Sequence, residues 1–186
     1  IAFMEYGDVL LIFETRGLPT PNYRGAMVGN VFHGTEGSVV LTSYSRGAAF
    51  DKDGKKIRNF DGGGNHHRNF IDAVRSRKYT DLKADILEGH LSSALCHLAN
   101  ISYLRGTDVP FSSQHKAFGD NKEAYETFER TMEHLKENKV PMDGETYRLG
   151  KKLIVDAANE RFVGDEKANA LLTREYREPF VVPNQV

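Results

Sequence analysis

The chain has 186 residues, with 25 Lys and Arg against 26 Asp and Glu and a formal charge of −1 at pH 7. That length suits a single domain, 1–186, able to bury well over half the surface of its unfolded form without disulfide or metal staples. Balanced charge excludes a general polyanion binder such as a nucleic-acid protein, and no apolar run approaches the roughly 18 residues of a membrane span.

Residues 1–60 predict strands joined by turns. Ile1–Tyr6 and Val9–Arg16 flank a Gly7-Asp8 turn, and a Pro19/Pro21 loop leads to an apolar stretch from Ala26 to His33. The turn Gly34-Thr35-Glu36-Gly37 precedes the strand Ser38–Thr42, and Asp53-Gly54 turns a hairpin between Ala48–Asp51 and Lys55–Phe60. Successive hairpins make the sheet mainly antiparallel. The cations Lys52, Lys55, Lys56 and Arg58 read as the solvated side of that hairpin, and Arg75, Arg77 and Lys78 as a helix C-terminus.

Gly62-Gly63-Gly64 ends the strands, and Asn65 can cap a helix reaching about Arg77 with Phe70, Ile71 and Val74 on one face. From Gly89 to Leu104 sixteen residues pass without a formal charge, though the rest of the chain is rich in them. Their periodicity is helical: Leu87, Leu91, Ala94, Leu95, Leu98, Ile101 and Ser102 share an arc, with Asp85 and Glu88 at the start and Arg105-Gly106 at the end. The opposite side carries small or neutral groups where a surface helix carries charge, so cover on both sides is expected. Cys96, the only cysteine, permits no intrachain disulfide and reads as a small core residue. His90, Ser93, His97 and Asn100 form a polar line at steps of three and four. It reads equally as satisfied polar groups at a packing seam or as donors and acceptors facing a ligand or second domain.

Asp120 and Glu123 have capping-box spacing before an amphipathic helix with Tyr125, Phe128, Met132 and Leu135 on its apolar face. A strand over Lys152–Asp156, a helical turn over Glu166–Leu172 and an extended Pro179–Pro183 tail complete the chain. The expected class is α/β in the α+β sense: a mostly antiparallel open sheet with helices packed on one face.

Familiar chemistries are largely excluded. The glycine triplet has neither dinucleotide nor P-loop spacing and no strand–helix–strand unit around it. His66-His67 are adjacent and His90 and His97 are seven apart, whereas helical metal ligands sit at i,i+4. No nucleophile elbow is present, and paired carboxylates would have to come from distant segments.

Three segments carry a family resemblance: Asn65-His66-His67-Arg68-Asn69-Phe70-Ile71-Asp72-Ala73-Val74-Arg75-Ser76-Arg77; Glu88-Gly89-His90 through Leu95-Cys96-His97-Leu98-Ala99-Asn100-Ile101; and Phe162-Val163-Gly164-Asp165-Glu166-Lys167-Ala168-Asn169 with Tyr176-Arg177-Glu178-Pro179-Phe180. Together with Gly34-Thr35-Glu36-Gly37 they resemble the C-terminal domain of Gfo/Idh/MocA oxidoreductases, in the bacterial sugar-associated branch. About Ser112 to Arg148 looks like a helical insertion, 112–148, found in only some relatives.

The resemblance implies a two-domain enzyme: a Rossmann domain holding NAD or NADP, and an α/β domain that shapes a sugar or polyol site and pairs through its sheet in homo-oligomers. This chain has no dinucleotide fingerprint, no Glu-Lys-Pro, and no Asp four residues before any of its seven histidines. No catalytic, cofactor-binding or metal residue is therefore assigned. His90, Ser93, His97 and Asn100 are the candidate substrate- or interdomain-facing groups. The expected role is the C-terminal domain of a NAD(P)-dependent oxidoreductase acting on a sugar or cyclitol hydroxyl; the alternative is a stand-alone interaction or scaffold domain of the same fold. The chain opens at Ile1 in strand-like sequence, so an upstream segment with any targeting signal is expected, and the compartment is open.

Overall fold

The computed structural model describes residues 1–111 and 115–183 and shows an α+β fold whose sheets are antiparallel. The strands divide among four separate ladders instead of forming one sheet. The chain falls into two compact units, Ile1–Leu18 with His90–Val186, and Pro19–Gly89.

The Pro19–Gly89 unit holds the largest sheet, a meander of β3 (Asn30–Gly34), β4 (Gly37–Leu41), β5 (Arg46–Asp51) and β6 (Lys56–Asp61), where β1 and β2 are the strands of the other unit given below. Gly37 packs so tightly on the Phe50 carbonyl that no Cβ fits. Asp51 closes the β5–β6 turn, its Oδ1 accepting from the Asp53 N–H at 3.1 Å and the Lys55 N–H at 2.8 Å. Of the apolar stretch Ala26–His33, only residues from Asn30 onward join the sheet; Ala26 closes a tight turn by an isolated bridge to Tyr23.

After the glycines, α1 (His66–Ser76) starts as expected, with Asn65 Oδ1 accepting from the Arg68 N–H at 2.9 Å, and ends where Arg77 turns left-handed at φ +59°. Asn69 clamps the following loop, donating to the Asp81 carbonyl at 2.7 Å and accepting from the Lys83 N–H at 3.0 Å. Only Ala73 of α1 is buried; Phe70, Ile71 and Val74 stay exposed.

In the other unit β1 (Ala2–Tyr6) and β2 (Val9–Phe13) form a hairpin with Gly7 at φ +58°. The uncharged segment is helical: α2 runs Ile86–Leu104, and Asp85 Oδ1 accepts from the Leu87 N–H at 2.9 Å. β7 (Thr107–Pro110) pairs with β8 (Thr146–Leu149), closing off the segment that contains α3 (Lys122–Glu137). The first residues of the expected 112–148 insertion, 112–114, lie outside the described residues.

The cap of α3 is Asn121, whose Oδ1 accepts from the Ala124 N–H at 3.0 Å, not Asp120. Both are good cap residues, and the helix starts one residue later than the Asp120–Glu123 spacing suggested. Ala124, Thr127 and His134 are buried on α3. Lys152–Asp156 is not a full strand: only Val155–Asp156 (β9) pairs, with Arg161–Phe162 (β10). α4 (Glu166–Asn169) is capped by Asp165 and ends before Leu172.

The buried interior is small. Among the described residues the buried apolar side chains are Ala26, Val40, Ala73, Ile101, Ala124, Phe162 and Ala168, more than half of them alanine. The chain by itself leaves 15172 Å² accessible, where a compact monomer of 20.9 kDa would expose roughly 9,000 Å² and two separate units of its size roughly 11,000 Å².

Candidate functional site

Helix α2 carries the candidate line, and its own contacts fix which side faces in. Ile101, 4 % exposed, packs with Phe162 and Ala168, joined by Leu98 and Leu153. Ser102 Oγ donates to the Lys151 carbonyl at 2.8 Å, and the Lys151 N–H donates back to the Ser102 carbonyl at 3.0 Å. A side chain at Gly150 would place its Cβ 2.6 Å from Ser102 Oγ, so the approach needs glycine.

Asp165 secures the end of the helix. Its Oδ2 takes Lys151 Nζ at 2.6 Å, while Oδ1 accepts from the Ala168 N–H at 2.9 Å and Arg105 Nε at 3.3 Å. The Lys151 ammonium first, then the Ala168 amide and the Arg105 guanidinium, hold its carboxyl far below the ordinary carboxylate range. Only the C-terminal part of the apolar arc read from the sequence packs within this unit, through Leu98, Ile101 and Ser102, while Leu87 and Leu91 of the same arc are exposed.

His90, Ser93, His97 and Asn100 lie beside that packed side, and all four are exposed. His90 Nε2 donates to Glu160 Oε1 at 2.7 Å; because a carboxylate only accepts, the neutral imidazole keeps its Nδ1 as an acceptor. Ser93 Oγ donates to the His90 carbonyl at 3.0 Å. Among the described residues no hydrogen-bond partner meets the side chains of His97 or Asn100. The cover expected on both sides of α2 is not supplied by this chain: Leu87 and Leu91 on the arc and Ile86, Tyr103 and Leu104 beyond it are exposed, and Cys96, expected in the core, is exposed too. Where α2 is open, small size and lack of charge do not bury a residue.

Glu160 is the member of the site that sequence reasoning missed. It ends the β9–β10 turn, and Asp156 organises that turn: Oδ1 accepts from the Ala158 and Asn159 N–H groups at 3.1 and 3.2 Å, and Oδ2 from Asn159 Nδ2 at 2.7 Å. The Asn159 bonds foremost lower the Asp156 pKa. Glu160 itself is left-handed at φ +49°, a conformation that costs a non-glycine residue about 1–2 kcal/mol. An Asp-Ala-Ala-Asn run signals such a turn, but its meeting with a histidine 70 residues away is not a local pattern.

The face these groups make offers neutral donors and acceptors with one histidine–carboxylate pair, a set suited to hydroxyl groups. The other histidine pair makes no such site: the His66 and His67 rings lie tilted beside each other with centroids 4.0 Å apart, and among the described residues no three His, Cys, Asp or Glu side chains converge as metal ligands would. Nor is any helix among them long and apolar enough to cross a membrane. No family model, no curated protein and no solved structure matches this chain.

Proposed function

We propose that this chain is the substrate-side domain of a NAD(P)-dependent oxidoreductase acting on a sugar or cyclitol hydroxyl, with the dinucleotide held by a Rossmann domain outside these residues. The observation that carries the reading is the open face of α2: a nineteen-residue helix with one buried side chain, Ile101, and the line His90, Ser93, His97 and Asn100 exposed beside its packed side. Such a face fits the border of a cleft, where a second domain covers the apolar positions and a polyol meets the polar ones. Glu160 holds His90 with Nδ1 free to accept from a substrate hydroxyl, and Asn100 offers both a donor and an acceptor.

The test uses the chain and the complete protein that contains it. The chain alone should not bind NADH in a fluorescence titration, because it lacks the glycine turn and helix N-terminus that hold a pyrophosphate. The complete protein should bind it and oxidise a member of a sugar and cyclitol panel with NAD or NADP. Saturable micromolar NADH binding by the chain alone, or a complete protein in which no Rossmann domain precedes these residues, overturns the reading.

The excess accessible surface favours a second reading, a scaffold domain whose open faces pair with another copy. Stable homodimer interfaces bury about 2,000–5,000 Å², and the surface beyond what two separate units of this size expose, about 4,000 Å², lies within that range. Homo-oligomerisation is compatible with the enzyme as well, so the dinucleotide experiment separates the two readings and oligomeric state does not.

A further inference from the structure

We propose that the four-stranded sheet binds a small anion bearing carboxylate or phosphate groups, in a cleft of about 430 Å³ over its β4–β6 side where Arg24, Arg46 and Lys56 converge. The ladder sets the floor. Val40, Ala48 and Asn59 are paired across three strands, Arg46 is paired with Asp61 in the next row on the same side, and all five line the cleft. Val40, 2 % exposed, is the buried centre of that floor.

Two of the three cations reach the cleft through departures from regular backbone. The first is a bulge in β6. Ala49 pairs with Arg58, but Phe50 pairs with Lys56, leaving Ile57 as the unmatched residue. An unbroken ladder would set Ile57 beside Asn59 and Asp61; the bulge brings Lys56 to that side and leaves Ile57 66 % exposed outside the cleft. Re-aiming a side chain is what an extra residue in a strand does.

The second departure is the Tyr23–Ala26 turn, whose central residues both have positive φ, Arg24 at +49° and Gly25 at +81°. A tight turn of this kind takes glycine or asparagine by default, because a Cβ is strained there. Here the first position is an arginine, and it lines the cleft.

Arg24, Arg46 and Lys56 face one carboxylate, Asp61, which lies 4.0 Å from Arg46 Nε. Two positive charges are left uncompensated in a chain whose net charge is −1. Guanidinium forks bind carboxylate and phosphate oxygens in pairs, the lysine adds a point charge, and Thr42 and Asn59 supply neutral donors. A volume of this size lies within the range of roughly 300–1,000 Å³ found for small-molecule sites. Binding here needs neither a dinucleotide nor the α2 face, so it stands or falls independently of the oxidoreductase reading.

The experiment titrates the chain with citrate, inorganic phosphate and glucose at low ionic strength, followed by amide NMR. Citrate or phosphate should bind saturably, with shifts confined to β4–β6 and the Tyr23–Ala26 turn, and binding should weaken as salt rises. Whichever binds tighter identifies the preferred group. Arg24→Gly keeps the turn and relieves its strain, so it should retain the folded spectrum and raise the melting temperature while weakening binding about tenfold. Lys56→Gln should weaken it similarly. Arg58→Gln, at a cation that does not line the cleft although it lies over the Phe60 ring, should leave affinity unchanged. Absence of saturable binding by both anions, equal response to glucose, or affinity unaffected by both Arg24→Gly and Lys56→Gln overturns the proposal.

Discussion

Asn169 shows how one polar side chain can hold a small core. It is buried beside Phe162, and its amide spans that residue's backbone: Oδ1 accepts from the Phe162 N–H at 2.8 Å and Nδ2 donates to the Phe162 carbonyl at 3.0 Å. Phe162 is in turn a principal apolar contact of α2 through Ile101. Asn169→Ala leaves both backbone groups without partners in a dry setting and should cost on the order of 1–3 kcal/mol, read by urea denaturation. Asn169→Asp restores the acceptor and not the donor, and should fall between the two. Equal stability of all three proteins would remove Asn169 from the core's account. At this scale sequence was a partial guide. Asn65 was legible because a cap acts on an amide three residues ahead, and Asn121 was misplaced by one because Asp120 has the same chemistry. Lys56 read as part of a solvated hairpin face because a bulge is invisible to alternation.

His115 ties the elements between β7 and β8 together. Its ring stands edge-on to Phe118 at 4.9 Å and Phe128 at 4.8 Å and contacts Tyr125 and Tyr147 at about 6 Å, so it joins α3 to β8. The Ala117 N–H donates to its Nδ1 at 3.3 Å, which places the proton of the neutral ring on Nε2. Burial among these rings pushes the His115 pKa below its ordinary value near 6.5, and burial also pushes the Tyr147 hydroxyl up. The folded protein then prefers the uncharged ring. This preference costs nothing above about pH 6.5, and stability is lost as pH falls through that value toward the lowered pKa, because the unfolded chain takes the proton more readily. His115→Phe should flatten the stability profile between about pH 7 and 5, the interval around the ordinary histidine value of about 6.5. An unchanged slope in denaturant melts across that interval contradicts the assignment. The longer elements were legible where periodicity is local, as in α1, α2, α3 and the β5–β6 hairpin. β8 was not, because Thr146–Leu149 becomes a strand only by pairing with β7 some 40 residues earlier.

For the molecule as a whole, one chemical fact runs from sequence to proposed role: α2 lacks charge from Gly89 to Leu104, yet its own chain buries only Ile101 fully. The residue pattern predicts cover on both sides of this helix, and within the chain only the end of its apolar arc at Leu98, Ile101 and Ser102 is packed. Glu160 could not be added from sequence, since it joins His90 only through folding. If the open face borders a substrate cleft, removing a polar group from it should alter catalysis without disturbing the packed side, because neither His97 nor Asn100 has a partner to strand and the His90–Glu160 pair is exposed, where such a pair contributes little. The most direct measurement is therefore kcat/KM and melting temperature of the complete protein carrying Asn100→Ala, with His90→Ala and Glu160→Gln alongside. The account predicts a fall in kcat/KM of about tenfold or more with a nearly unchanged melting temperature. Unaltered kinetics in all three variants, or a loss of stability with full activity in the folded fraction, would contradict it.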